Sequence, residues 1–148
     1  MSYICLKYHL VFSTKDRRPL LSAAIMPRLS PYIGGIIREI GGSMLAANGP
    51  ADHIHVAAVL DQKLPLMEAL NIIKANSSKW IHQNFSELAD FAWQEGYAAF
   101  SVSHSATNQV VGYVQRQLEH HAKMDFQQEL RTLLDRHGIE YDERYLWK

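Results

Sequence analysis

From residue 3 to residue 13 the chain alternates: Ile4, Leu6, Tyr8, Leu10 and Phe12 form one set, and Tyr3, Cys5, Lys7, His9 and Val11 the other. A period of two predicts a strand, with the first, more apolar set turned to the core and Cys5 packed inside an apolar strand. Beyond a polar turn at 16–19, Leu29, Ile33, Ile36, Ile37 and Ile40 recur at helical spacing. They predict a first helix over about 22–39, capped by Ser22 and ended by Gly41-Gly42. Residues 43–48 read as a second strand, and Asn48-Gly49-Pro50 as the turn into a third, in which Ile54, Val56, Ala58 and Leu60 share the buried face. Leu66, Leu70, Ile73, Ser77, Trp80 and Ile81 line one side of a second helix that opens at Leu64-Pro65 and runs to Phe85, leaving Lys74, Ser78 and Lys79 toward solvent. A less periodic stretch at 86–95 precedes a fourth strand at 97–103. Val110, Val114, Leu118 and Ala122 then repeat every fourth residue, predicting a third helix over about 107–123, and a last helix at 126–137 stops at Gly138. The tail, 139–147, is too aromatic for a free solvated end and is expected to dock on the body or on a second copy.

The order β-α-β-β-α-β is that of the split-βαβ, ferredoxin-like and RRM-like α+β sheets, here with additional C-terminal helices. The first two helices would cover one sheet face and leave the other open. With 148 residues and 47 % hydrophobic content the chain is expected to form one domain, 1–148. The single cysteine excludes an intramolecular disulfide and a cysteine metal pair. No leader-like start and no apolar run of about 18 residues is present, so the expectation is a soluble, cytoplasmic protein without a membrane span.

Chemistry concentrates in two places. His53 and His55, two apart in the third strand, project from the face opposite Ile54 and Val56 and are candidate metal ligands. Tyr113 and Gln117, four apart on the third helix, present a phenol as candidate nucleophile and an amide oxygen as a further ligand. Asp52 reads equally as a partner that orients an imidazole or as a turn residue. Tyr97, Tyr141 and Tyr145 are weaker nucleophile candidates because none has a glutamine four residues on, and adjacent His120 and His121 diverge by about 100° on a helix and read as a polar helix end.

His53-Ile54-His55 together with Tyr113 through Gln117 resembles the HUH single-tyrosine transposases of small bacterial insertion sequences and their repeat-associated tyrosine transposase relatives. The opening Lys7-Tyr8-His9-Leu10-Val11-Phe12-Ser13-Thr14-Lys15 through Arg17-Arg18-Pro19, and Ile73-Lys74-Ala75-Asn76-Ser77-Ser78-Lys79, look like the family's first strand and second helix, so the likeness spans most of 3–123. The resemblance implies that His53, His55 and Gln117 hold Mg²⁺ or Mn²⁺, and that Tyr113 cleaves single-stranded DNA with hairpin ends through a 5′-phosphotyrosine. It also implies a homodimer in which Tyr113 serves the partner's histidines, while the short link from the fourth strand to the third helix leaves a cis arrangement, with that helix on its own open sheet face, geometrically possible. The ligand types alone do not choose the metal. Lys plus Arg and Asp plus Glu balance at 15 each, against the basic surface that phosphate binding favours. The expected resolution is segregation: Lys15, Arg17, Arg18, Lys74, Ser78 and Lys79 toward DNA, and Glu129, Asp135, Glu140, Asp142 and Glu143 away from it. Two other classes stay open: a domesticated or non-catalytic nucleic-acid module on the same sheet, and a metal-dependent phosphoesterase that would not need Tyr113.

Overall fold

The computed structural model describes residues 1–147, the side chains of His120 and His121 excepted, so the reading of that pair lies outside the described residues. Four strands, β1 (Lys7–Ser13), β2 (Ser43–Asn48), β3 (His53–Val59) and β4 (Ala98–Val102), form an antiparallel sheet in the order β2-β3-β1-β4. Helices α1 (Met26–Glu39) and α2 (Leu66–Asn84) follow β1 and β3, which gives the expected ferredoxin-like α+β arrangement. Three further helices, α3 (Thr107–Gln115), α4 (Gln117–His121) and α5 (Phe126–Arg136), follow β4.

The main core lies between one sheet face and α1 and α2, where Leu10, Phe12, Ile54, Val56 and Ala58 meet Leu29, Ile33, Ile37, Leu70, Ile73 and Ile81. Each of these side chains larger than Ala58 contributes about 1.5–3 kcal/mol of transfer free energy, which fixes strand register because a one-residue slip would expose the whole set. The opposite face, which the first two helices leave uncovered, is covered within the chain by the later helices. Val114 of α3 packs on Ala46 and Ala57, and Phe126, Leu130, Leu133 and Leu134 of α5 pack on Val11 and Phe100.

Several sequence expectations are corrected. The first strand begins at Lys7, not Tyr3; Tyr3 and Ile4 are exposed, and so is Cys5, because no strand pairs with this end. Helix α1 begins at Met26 without a side-chain cap; Ser22 instead accepts a turn hydrogen bond from the Ile25 amide, and Pro27 sits in the first turn, where its missing donor costs least. The predicted third helix is two: Arg116 leaves helical geometry at φ −96°, ψ 24°, and α4 starts afresh at Gln117. After the break Leu118 is 64 % exposed and Gln117 is fully buried, the reverse of the four-residue repeat. The final helix and its stop agree with expectation, with an Asp125/Gln128 capping box and Gly138 at φ +65°. The tail docks on the body: Leu146 and Trp147 pack against the α5 cluster, and Trp147 lies between the Arg17 and Arg131 guanidiniums at 5.1 and 5.2 Å.

Candidate active site

The β3 histidines face α3 and α5 and are fully buried. His53 Nδ1 lies 2.7 Å from Asp52 Oδ1, which supports the orienting reading, and Asp52 itself sits in the bend before β3 with its carbonyl accepting from the Thr14 amide. His55 Nδ1 lies 2.7 Å from His9 Nε2 on neighbouring β1. The other nitrogens of the pair converge on one carboxylate: Glu129 Oε1 is 3.1 Å from His53 Nε2 and 3.0 Å from His55 Nε2. Glu129 Oε2 accepts from the Tyr113 hydroxyl and, at 3.1 Å, from Gln117 Nε2. The break at Arg116 therefore does not separate Tyr113 from Gln117; it turns the amide inward. Asn48 Nδ2 donates to the Gln115 carbonyl at 2.9 Å, pinning the end of α3 to the turn before β3. Phe126, one helical turn before Glu129, stacks on His53 at 4.2 Å.

Electrostatics follow from burial and these bonds. Burial opposes charge on Glu129, but hydrogen bonds from His53, His55 and Tyr113 hold its carboxyl far below the usual range. Burial lowers His53, yet Asp52 and Glu129 outweigh it and the net shift is upward. His9, 4 % exposed, is pushed down to about 3 by burial and by neighbouring His55. Burial and the Glu129 carboxylate raise the Tyr113 phenol, so the resting tyrosine is protonated.

The donor set fits a divalent cation. The ligand atoms of His53, His55 and Glu129 all lie within 4.8 Å of one another. Two donors about 2.1 Å from one cation and at right angles stand about 3.0 Å apart, close to the spacing between each imidazole and Glu129. Gln117 Oε1 is buried with no hydrogen-bond partner among the described residues, leaving an oxygen available to a cation.

Of the sequence-predicted residues, His53, His55, Tyr113 and Gln117 meet here. They do so in cis, within the single chain described. Lys15, Arg17 and Arg18 follow β1 at the end where Ser13 pairs with His53; Arg18 bonds Asp90 at 3.2 Å. Lys74, Ser78 and Lys79 ride on α2, in the layer behind the sheet. Lys74 is not free in solvent: it is half-buried and donates to the Glu95 and Gly96 carbonyls. Glu129 was grouped with acids held away from the site and lies at its centre. Its sequence signal is position, since with Phe126, Leu130 and Leu133 it falls on the apolar stripe of α5, where a carboxylate needs partners. His9 is marked the same way, by facing the histidine side of the sheet from β1.

A sheet of this topology with a tyrosine, two strand histidines and a buried carboxylate in one centre defines a candidate nucleic-acid strand-transfer enzyme. Residues 2–117 match the family described as "Transposase IS200 like", and the chain belongs to that family, whose members are DNA strand transferases. It is 28 % identical over 123 residues to the transposases for insertion sequence element IS200 of Salmonella typhimurium (strain LT2) and Salmonella typhi, covering 76 % of this chain and 77 % of each relative. Among solved structures, the fold is similar to a putative transposase from Deinococcus radiodurans R1 (TM-score 0.65, 21 % identity, 78 % of this chain and 93 % of that one). It is also similar to a REP-associated tyrosine transposase bound to a REP hairpin (TM-score 0.60, 16 % identity, 82 % and 72 %). The family match stops at Gln117, so Glu129 and α5 lie beyond it. Among the described residues no helix is long and apolar enough to cross a membrane.

Proposed function

We propose that the protein cleaves and rejoins single-stranded DNA at insertion-sequence ends, with Tyr113 as nucleophile. The observation that carries this reading is the Glu129 carboxylate, which ties the Tyr113 hydroxyl to both His53 and His55 inside one buried centre. Tyr113 Oη forms a bond to phosphorus as the bond to the 3′ oxygen breaks, leaving a 5′-phosphotyrosine and, once the 3′ oxygen is protonated, a 3′-hydroxyl. Because the phosphodiester energy is kept in that linkage, rejoining needs no nucleotide cofactor. Glu129 Oε2 fixes the phenol oxygen and is the acceptor its proton already faces. His53, His55 and Glu129, with Gln117 Oε1 beside them, would hold Mg²⁺ or Mn²⁺. Such an ion supplies positive charge that stabilises the scissile phosphate and the leaving oxygen and offsets the carboxylate that keeps the phenol protonated.

Coverage of the histidine face by α3 and α5 disfavours a base-stacking module, whose sheet must stay open. Lys15, Arg17 and Arg18, beside the His53 end of β1, are proposed to contact the DNA backbone near the cleavage point. Lys74, Ser78 and Lys79 lie behind the sheet and would meet DNA farther away, with Lys74 the least available. The hairpin bound by the REP-associated relative supports hairpin-flanked ends as substrate. The homodimer stays part of the proposal, each protomer carrying its own Tyr113 and histidines. On a labelled oligonucleotide spanning an element end, wild-type protein with Mn²⁺ should form a covalent adduct, and Tyr113→Phe should form none while still binding the DNA. An adduct formed by Tyr113→Phe would disprove the nucleophile.

A further inference from the structure

We propose that His9 is the positioning residue of the metal centre: its Nε2 donates to His55 Nδ1 when His55 Nε2 faces Glu129, and accepts from it when that Nε2 carries a cation. The inference rests on the metal reading above. His9 stands on β1 opposite Ala57 and Phe100, 4 % exposed, its ring centroid 5.8 Å from both Phe100 and Tyr113. Its Nε2 is 2.7 Å from His55 Nδ1.

Proton placement then follows from counting. A neutral imidazole has one N–H. Against the Glu129 carboxylate 3.0 Å away, His55 keeps its proton on Nε2, so Nδ1 is bare and His9 Nε2 must donate. A cation at His55 Nε2 needs the lone pair there, so the proton moves to Nδ1 and His9 Nε2 must accept, with its own proton on Nδ1. The two rings carry two protons in either state, so the exchange balances. His9 lines a cleft of about 530 Å³ with Ser101, Ser103, Gln109, Tyr113 and Arg136, which gives its ring a route for proton exchange with water. Asp52 cannot do this for His53, because a carboxylate only accepts. An imidazole donates or accepts at the same atom, which explains a histidine at position 9 where a carboxylate would serve only the metal-bound state.

The test is Mn²⁺ affinity measured by titration calorimetry on the full chain. His9→Leu, which can do neither job, should bind Mn²⁺ about 10–100-fold more weakly than wild type. His9→Gln, whose amide can present oxygen or nitrogen, should recover most of that loss. In wild-type protein, ring ¹⁵N shifts should show the His9 proton moving from Nε2 to Nδ1 on saturation with diamagnetic Mg²⁺. Melting curves check that each variant folds, and if His9→Leu does not, the wild-type NMR result decides alone. Wild-type Mn²⁺ binding unchanged by His9→Leu, or a His9 proton that stays in place, overturns the inference and leaves the metal reading standing. Absence of Mn²⁺ binding by wild-type protein overturns both.

Discussion

Glu129 shows how one side chain sets the resting state of the centre. Its carboxylate is 5 % exposed and receives bonds from Tyr113 and Gln117 while facing both histidines, so its charge is matched only by an imidazolium or a cation. Glu129→Gln keeps the size and removes the charge. Breaking a buried pair costs about 3–5 kcal/mol, so in EDTA this variant should melt roughly 6–20 °C below wild type. Added Mn²⁺ at a hundred times Kd should stabilise wild type by about 2.7 kcal/mol and the variant hardly at all. Equal Mn²⁺-induced melting shifts in the two proteins would remove Glu129 from the ligand set. His9 gives a pH signature in metal-free protein. Its folded pKa of about 3 lies below the unfolded value of about 6.5, so the unfolded chain takes up the proton first. Its contribution is fully present above pH 6.5 and is lost as pH falls toward 3, by up to roughly 5 kcal/mol. The neighbouring charges that bear on it are His55, Glu129 and His137. Urea unfolding at pH 7, 5 and 4 should show a shallower acid loss for His9→Gln than for wild type; parallel curves would contradict the assignment.

At the scale of elements, what the residue pattern predicted and what it missed separate along local and non-local causes. β2 and β3 lie where turn residues and alternation put them, because one face of each strand is fixed by the core. The break at Arg116 was hidden because Val110, Val114 and Leu118 continue a helical period, yet the chain favours burying Gln117 beside Glu129 and leaves Leu118 in solvent. Polar partnering with Glu129, 12 residues downstream on another helix, overrode a local apolar repeat, and helical periodicity says nothing of how the chain turns between the two. The turn that launches β3 was legible, and its glycine has a steric reason. A Cβ on Gly49 would stand 2.1 Å from the His53 carbonyl oxygen and 2.9 Å from the Ile54 Cα, both backbone atoms. Gly49→Ala must therefore shift the start of β3 and His53 with it. The expected cost is about 1–3 kcal/mol, a melting temperature lower by roughly 2–12 °C, together with weaker Mn²⁺ binding. A variant matching wild type in both measurements would show that the turn can yield without moving the ligand.

For the molecule as a whole, sequence patterning located the sheet, its buried face and four of the residues that meet in the centre, but not what closes over them. The histidine face was expected to await a helix from either copy, since nothing in a linear pattern says how a chain folds back after β4. In the structure α5 carries Glu129 down onto His53 and His55, and α3, pinned by Asn48 at Gln115, brings Tyr113 to the same carboxylate. The hydrogen bonds described for that centre join residues of one chain, a cis arrangement that subunit mixing can test. If Tyr113 served a partner, mixing Tyr113→Phe with His53→Ala protein would give heterodimers pairing one intact tyrosine with one intact histidine strand, and cleavage would return. With the site in cis, each protomer keeps its own defect in every combination. Mixtures in which subunit exchange has been demonstrated by differential tags should therefore remain inactive on the labelled oligonucleotide, while wild-type protein diluted with either variant keeps activity in proportion to its share. Recovery in the mixed variants would mean that α3 leaves its own Glu129 to reach across the interface, and the cis centre would then be a resting arrangement and not the one that cuts.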